Sequence, residues 1–182
     1  VGRIVVVASL CLVASCAPAT PDPVECGVSR TIDAAPEARG TFDVGVRTWE
    51  LTYTPPAATA PRTIRVYAWY PTRDTDRGTI TYVGTFADEA SLLDATPADP
   101  VDGCAYPVFA FSHGYQGYAG GSAFLMKHLA SHGWVAIGVD HTGNTLVDNV
   151  EPLPTAHYIA RPRDISEALD AIDALPDSDP LS

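Results

Sequence analysis

Positive charge is scarce: one lysine, Lys127, and ten arginines stand against 22 acidic residues in a chain of 182, a formal net charge of -11. No run of basic residues could form a stripe along a phosphate backbone, so nucleic acid is excluded as a partner. Cysteine is limited to four residues and no C-x-x-C occurs; His128-Leu-Ala-Ser-His132 has helical i, i+4 spacing but lacks the Glu of H-E-x-x-H. The common zinc motifs are therefore missing, and no metal or other cofactor is implied. No apolar run reaches the roughly 20 residues that a membrane-spanning helix needs. What is present is one domain's worth of sequence, 46% hydrophobic and 18% charged, a balance that rules out disorder throughout.

Ile4 to Val13 is an apolar run behind a single basic residue, Arg3, the pattern of a secretory signal. It ends Val13-Ala14-Ser15-Cys16, which resembles the bacterial lipobox, implying that Cys16 takes a diacylglyceryl group and becomes the mature N-terminus. An ordinary signal peptide with an incidental cysteine is the alternative. Residues 1–15 are thus expected to be a lipoprotein signal peptide, residues 16–40 a Pro/Ala-rich tether, and residues 41–182 the folded domain. The expected location is the bacterial envelope, lipid-anchored and outer-membrane, with secretion as the alternative; Ala17 stands where Asp would signal inner-membrane retention. Removing the signal takes Cys11 with it. Cys26 and Cys104 remain as the pair that an oxidising compartment would join, two unpaired thiols being the alternative.

Val44 to Tyr53 and Thr63 to Tyr70 alternate apolar and polar residues around Pro55-Pro56 and Pro61, predicting an antiparallel pair. Pro71 to Gly103 is polar and turn-rich, with one short helix expected at Asp88 to Asp94. Pro107 to Ser112 is nearly continuous apolar sequence, as is Trp134 to Asp140, which suits strands buried in a parallel sheet. Between them Ser122 to His132 reads as a helix, with Ser122 as N-cap and Gly133 just past its end. A last helix is predicted from Ile165, Ala168, Leu169, Ile172 and Leu175, with Asp164, Glu167, Asp170 and Asp173 on its other faces. The class is α/β, an antiparallel hairpin leading into parallel strands with crossover helices.

Ligands of open α/β sheets bind beyond the carboxyl ends of the strands, which here carry Ser112-His113-Gly114-Tyr115-Gln116-Gly117 and Asp140-His141-Thr142-Gly143-Asn144. Glycine lets such a loop bring a backbone N–H close to a developing oxyanion. Phe111 to Gly117, Leu129-Ala-Ser-His-Gly-Trp134, Val139-Asp-His141 and Arg161-Pro-Arg-Asp-Ile165, taken together, resemble the platelet-activating-factor acetylhydrolase and dienelactone-hydrolase-like branch of the α/β-hydrolases. More distantly they are similar to cutinase-type polyester hydrolases. The resemblance implies a serine ester hydrolase of lipase or esterase type acting on neutral ester or lipid substrates. It implies the Tyr115 N–H as one oxyanion donor, His113, Gly114 and Gln116 as the rest of that loop, and the Tyr115 ring as part of the acyl cleft. His113 as a mere brace, Tyr115 as core packing and Asp140 as the cap of a turn are the alternatives.

No G-x-S-x-G occurs in the 182 residues. By the resemblance, that nucleophile elbow belongs on the strand after the last helix, so nucleophile and triad are expected to be missing and the domain truncated before them. The first four sheet strands are expected in the order 1-2-4-3, leaving Pro107 to Ser112 as a bare apolar edge. Ser112, Asp140 and His157 occur in triad order, but Ser112 has no strand-to-helix elbow, and the five histidines are read as loop and surface residues. This chain is accordingly expected to be an inactive front part of an exported, lipid-anchored ester hydrolase. The alternatives are a non-catalytic binding lipoprotein or decayed remnant, and a cytosolic dienelactone-type enzyme with a misplaced start.

Overall fold

The computed structural model describes residues 37–56, 58–100 and 104–182. Cys16, Cys26, the signal run and nearly all of the tether lie outside the described residues. Cys104 is disulfide-bonded.

Six strands make one sheet in the order β3-β4-β1-β2-β6-β5. β1 (Asp43–Tyr53) and β2 (Arg62–Thr72) pair antiparallel in unbroken register from Asp43 opposite Thr72 to Tyr53 opposite Arg62. β2 pairs antiparallel with β6 (Val135–Asp140), and β6 pairs parallel with β5 (Val108–Ser112). The central order β1-β2-β6-β5 is the expected 1-2-4-3, and among the described residues β5 has no partner beyond β6. The connection from β5 to β6 runs through a 3-10 turn at Ala119–Ser122 and helix α1 (Ala123–Ser131); α2 (His157–Asp173) follows β6.

The stretch before β5 departs from expectation. In place of a helix at 88–94, β3 (Thr79–Tyr82) and β4 (Phe86–Leu93) form an antiparallel pair, and β4 adds parallel to β1 through Gly45 opposite Leu92 and Val46 opposite Leu93. The buried positions of β4, Asp88 and Ser91, are polar, so no apolar alternation marked the strand. A polar chain holds it instead. Trp69 Nε1 donates to Tyr82 Oη at 3.0 Å, Tyr82 Oη donates to Asp88 at 2.9 Å, and the one lysine, Lys127 of α1, reaches Asp88 at 2.8 Å.

Strand periodicity sorts the core into two faces. Tyr67 and Trp69 of β2 pack with Val44, Val46, Tyr82, Met126 and Ala130 on the α1 side. Ile64, Val66, Ala68 and Tyr70 join Val135, Ile137, Val139, Ala168 and Ile172 on the α2 side. The two helices therefore lie on opposite faces, as the α/β class requires. Ser122 occupies the N-cap position of α1 without making a side-chain cap bond, whereas Gly133 follows the helix at φ +91°, a conformation that L side chains rarely adopt. α2 begins at His157, earlier than the apolar periodicity indicated, with Pro162 inside it.

Truncating Trp69, which is fully buried, should lower unfolding stability by about 3–5 kcal/mol. Phe124→Ala at a position 75% exposed should change it by no more than about 0.5 kcal/mol. Denaturant titration of both variants checks this; equal losses would place the core elsewhere.

Candidate functional site

Two loops leave the carboxyl ends of neighbouring strands, one after β5 and one after β6, and they are bonded to each other. Leu146 N–H donates to Gly117 O at 3.1 Å, beside a parallel bridge between Gly117 and Thr145. The first loop closes on itself: Gly117 N–H donates to Gly114 O at 3.1 Å, with Gln116 at φ +54°. That is the geometry of a type II turn with Tyr115 and Gln116 at its corners. A Cβ at Gly117 would come within 3.1 Å of Gly114 O and 3.2 Å of the His113 ring, so any larger residue there would press His113 or the Gly114 carbonyl aside by a few tenths of an ångström. Tyr115 is half exposed, which disposes of the core-packing alternative, and Gln116 Nε2 reaches Glu151 at 3.2 Å.

His113 braces this loop. It is buried, donates from Nδ1 to Gly114 O at 2.7 Å, and accepts at Nε2 from the backbone N–H of His141 at 3.1 Å. These partners assign the proton of the neutral ring to Nδ1. Asp140 serves the turn after the loop, accepting from Ala119 N–H at 2.7 Å and from Tyr67 Oη at 2.9 Å; burial raises its pKa. Asp140 thus caps a turn, and His157 contacts Thr142 O at 3.3 Å. The Ser112, Asp140 and His157 set is not assembled.

A different chain of bonds is. Ser112 Oγ lies 2.8 Å from His141 Nε2, and His141 Nδ1 lies 2.7 Å from Asp164 Oδ2. His113 and His141 lie in loops, as expected from the sequence, but both are buried and not at the surface. The placing of Asp164 on an outer helix face fails: its side chain is fully buried. Arg62 forks onto it, Nε to Oδ1 and Nη2 to Oδ2, each at 2.8 Å, and Tyr53 Oη donates to Oδ1 at 2.6 Å. With His141, the carboxylate has four donors for its lone pairs. Burial alone would raise the Asp164 pKa, but the bonds from His141, Arg62 and Tyr53 outweigh it and hold the carboxyl below its ordinary range.

The bonds resemble a serine-base-acid relay, yet Ser112 is an exposed strand-end residue, and Arg161 Nη2 donates to its Oγ at 3.2 Å. The same nitrogen bonds His113 O, while Arg161 Nη1 donates to Asn144 Oδ1 at 2.9 Å. Among the described residues no group of three or more His, Cys, Asp or Glu is placed to hold a metal ion, and no helix is long and apolar enough to cross a membrane.

Comparison with solved structures finds similarity to a ferulic acid esterase from Streptomyces cinnamoneus, with a TM-score of 0.60 and 24% identity. The match covers 80% of this chain and 50% of that one, so the chain spans about half the length of the enzyme it resembles. No family model matches the chain, and no curated protein matches it. The likeness is one of fold: a mixed α/β sheet of six strands among the described residues, with a helix on either face, resembles part of that esterase's fold.

Burial lowers the pKa of both His113 and His141, only partly offset at His141 by its bond to Asp164. Both rings stay neutral in the fold while their unfolded counterparts protonate near pH 6.5, so the unfolded state binds more protons. Their contribution is complete above about pH 6.5 and is lost as pH falls from there through the folded-state values, at about 1.4 kcal/mol per pH unit for each ring. NMR titration should find both rings titrating below the ordinary histidine value; an ordinary or raised value at either would contradict burial as the dominant influence on that ring.

Proposed function

We propose that this chain supplies the front half of an exported, lipid-anchored serine ester hydrolase of the acetylhydrolase and dienelactone-hydrolase-like branch, acting on neutral esters. The single observation that carries the reading is the closed turn from Gly114 to Gly117 at the carboxyl end of β5, with Tyr115 at its first corner. A backbone N–H in that position suits the oxyanion of an ester's tetrahedral intermediate. The fold's likeness to an esterase supports the same reading.

In this reaction a serine hydroxyl gives its proton to a base and attacks the ester carbonyl, the alcohol leaves, and water then releases the acyl group. The nucleophile would come from a Gly-x-Ser-x-Gly elbow on a strand paired with the β5 edge, which has no partner among the described residues, and its following N–H would be the second oxyanion donor. Cys16 would carry the lipid. Cys26 would be the disulfide partner of Cys104.

A second reading has its own observation. The Ser112-His141-Asp164 bonds could make Ser112 the nucleophile within the chain. Against it stands the Arg161 bond to Ser112 Oγ, which takes one of the hydroxyl's two lone pairs and sets a cation against the oxygen, lowering its nucleophilicity.

The experiment treats the 182-residue chain with p-nitrophenyl acetate and a fluorophosphonate probe, and reads the nucleotide sequence after codon 182 in all frames for the elbow. The expected results are no turnover and no label on the chain alone, and turnover with label on the elbow serine once the two are joined. In the joined protein Tyr115→Pro, which removes the N–H at a turn corner that favours proline, should lower kcat by about 10² to 10³. Label on Ser112, abolished by Ser112→Ala, would overturn the main reading in favour of the second. Cys16→Ser should move the protein from membrane to soluble fraction; unchanged partition would refute the anchor.

A further inference from the structure

The block Arg161-Pro-Arg-Asp164 has no part in the main reading just proposed, yet its two outer residues make the most connected contacts of the site. Spaced i, i+3 on α2, Arg161 and Asp164 share a helix face, and that face meets the carboxyl ends of β5 and β6. Asp164 takes His141, at the end of β6. Arg161 takes three acceptors: Ser112 Oγ at the end of β5, His113 O just beyond it, and Asn144 Oδ1 beyond β6. Asn144 is itself fully buried and passes the connection on, its Nδ2 donating to Asn149 Oδ1 at 3.1 Å.

The His113 carbonyl is the acceptor that matters most. It belongs to the peptide joining His113 to Gly114, one residue before the Tyr115 N–H, so fixing its direction fixes the plane from which the turn departs. Nothing else described holds that carbonyl, whereas the far side of the same loop is held by Leu146 N–H and the His113 ring by His141 N–H. Only arginine offers this fork. A lysine ammonium could reach one acceptor at a time with no fixed plane between them.

We propose that Arg161 is a positioning residue that sets the orientation of the His113–Gly117 loop by bonding the His113 carbonyl and Asn144 together. The inference rests on the ester-hydrolase reading for its catalytic consequence, while the clamp itself is measurable without any turnover. Arg163 is the control: it lies on the same helix and its ion pair is with Glu167.

The first measurement is amide hydrogen exchange on the 182-residue chain at three amides that report the loop: Gly117, bonded to Gly114 O; Leu146, bonded to Gly117 O; and His141, bonded to the His113 ring. Arg161→Ala should accelerate all three by about tenfold or more, the loss expected for a charge-assisted bond. The amides of β2 and β6 should keep their rates, and Arg163→Ala should leave all of them unchanged. Added ethylguanidinium should restore protection in Arg161→Ala, a rescue that a general packing loss would not show. Unchanged exchange at the three amides in a folded Arg161→Ala protein would overturn the proposal. Should that variant also lose protection in β2 and β6, Arg161→Lys decides by the same two outcomes.

The second measurement uses the chain joined to its nucleophile elbow. Arg161→Ala should lower kcat at little-changed KM, with partial recovery in Arg161→Lys, because the loop bears on the transition state more than on ground-state binding. Accelerated exchange with no turnover even in the parent protein would refute the ester reading and leave the clamp standing. Turnover with a KM effect alone would refute the positioning role.

Discussion

A single buried carboxylate, Asp164, organises the end of the sheet where the loops emerge. Its four donors come from Tyr53 at the end of β1, Arg62 at the start of β2 and His141 just past β6, so one side chain of α2 fixes the relative position of three strands. An isolated buried carboxylate would be expelled or protonated; here Arg62 neutralises it and the other donors complete its shell. Arg62 is held in turn by Thr142 O at 2.7 Å. The histidine-bearing loop is thereby tied to both the helix and the hairpin.

From that point outward the arrangement follows from hydrogen-bond completeness. His141 has both ring nitrogens engaged and its backbone N–H engaged as well, the last on the ring of His113. The two imidazoles lie 4.8 Å apart, which disfavours two positive charges and agrees with both staying neutral. His113 passes the constraint to Gly114, and Gly114 to the turn that presents Tyr115. Rigid strands thus position a loop whose exposed tip is free to meet a ligand, as sites on α/β sheets generally require.

The hairpin, the two parallel strands and the crossover helix were legible because their apolar residues recur with strand or helix period and their ends carry proline or glycine. β3 and β4 were not, since a strand whose buried positions are Asp88 and Ser91 is held by Tyr82, Trp69 and Lys127 from elsewhere in the chain, and no local pattern records such a bond. The loop after β5 was found through its glycines. The roles of His141 and Asp164 were missed for a related reason: an aspartate beside other acidic residues on a helix reads as solvated, and only a tertiary contact turns it inward. The signal available was the juxtaposition of Arg161 and Asp164 one turn apart with a histidine ending a buried strand. The apolar periodicity, which begins only at Ile165, set the expected start of α2 too late and hid that pairing, since the helix begins at His157.

The central claim is that the buried Asp164 shell holds the loop-bearing end of the sheet together, and Asp164→Asn tests it most directly through the unfolding free energy at neutral pH. Removing the charge leaves Arg62 buried against a neutral amide with fewer acceptor sites, which should cost about 3–5 kcal/mol. A change of less than about 1 kcal/mol, the scale of an exposed ion pair, would contradict the account.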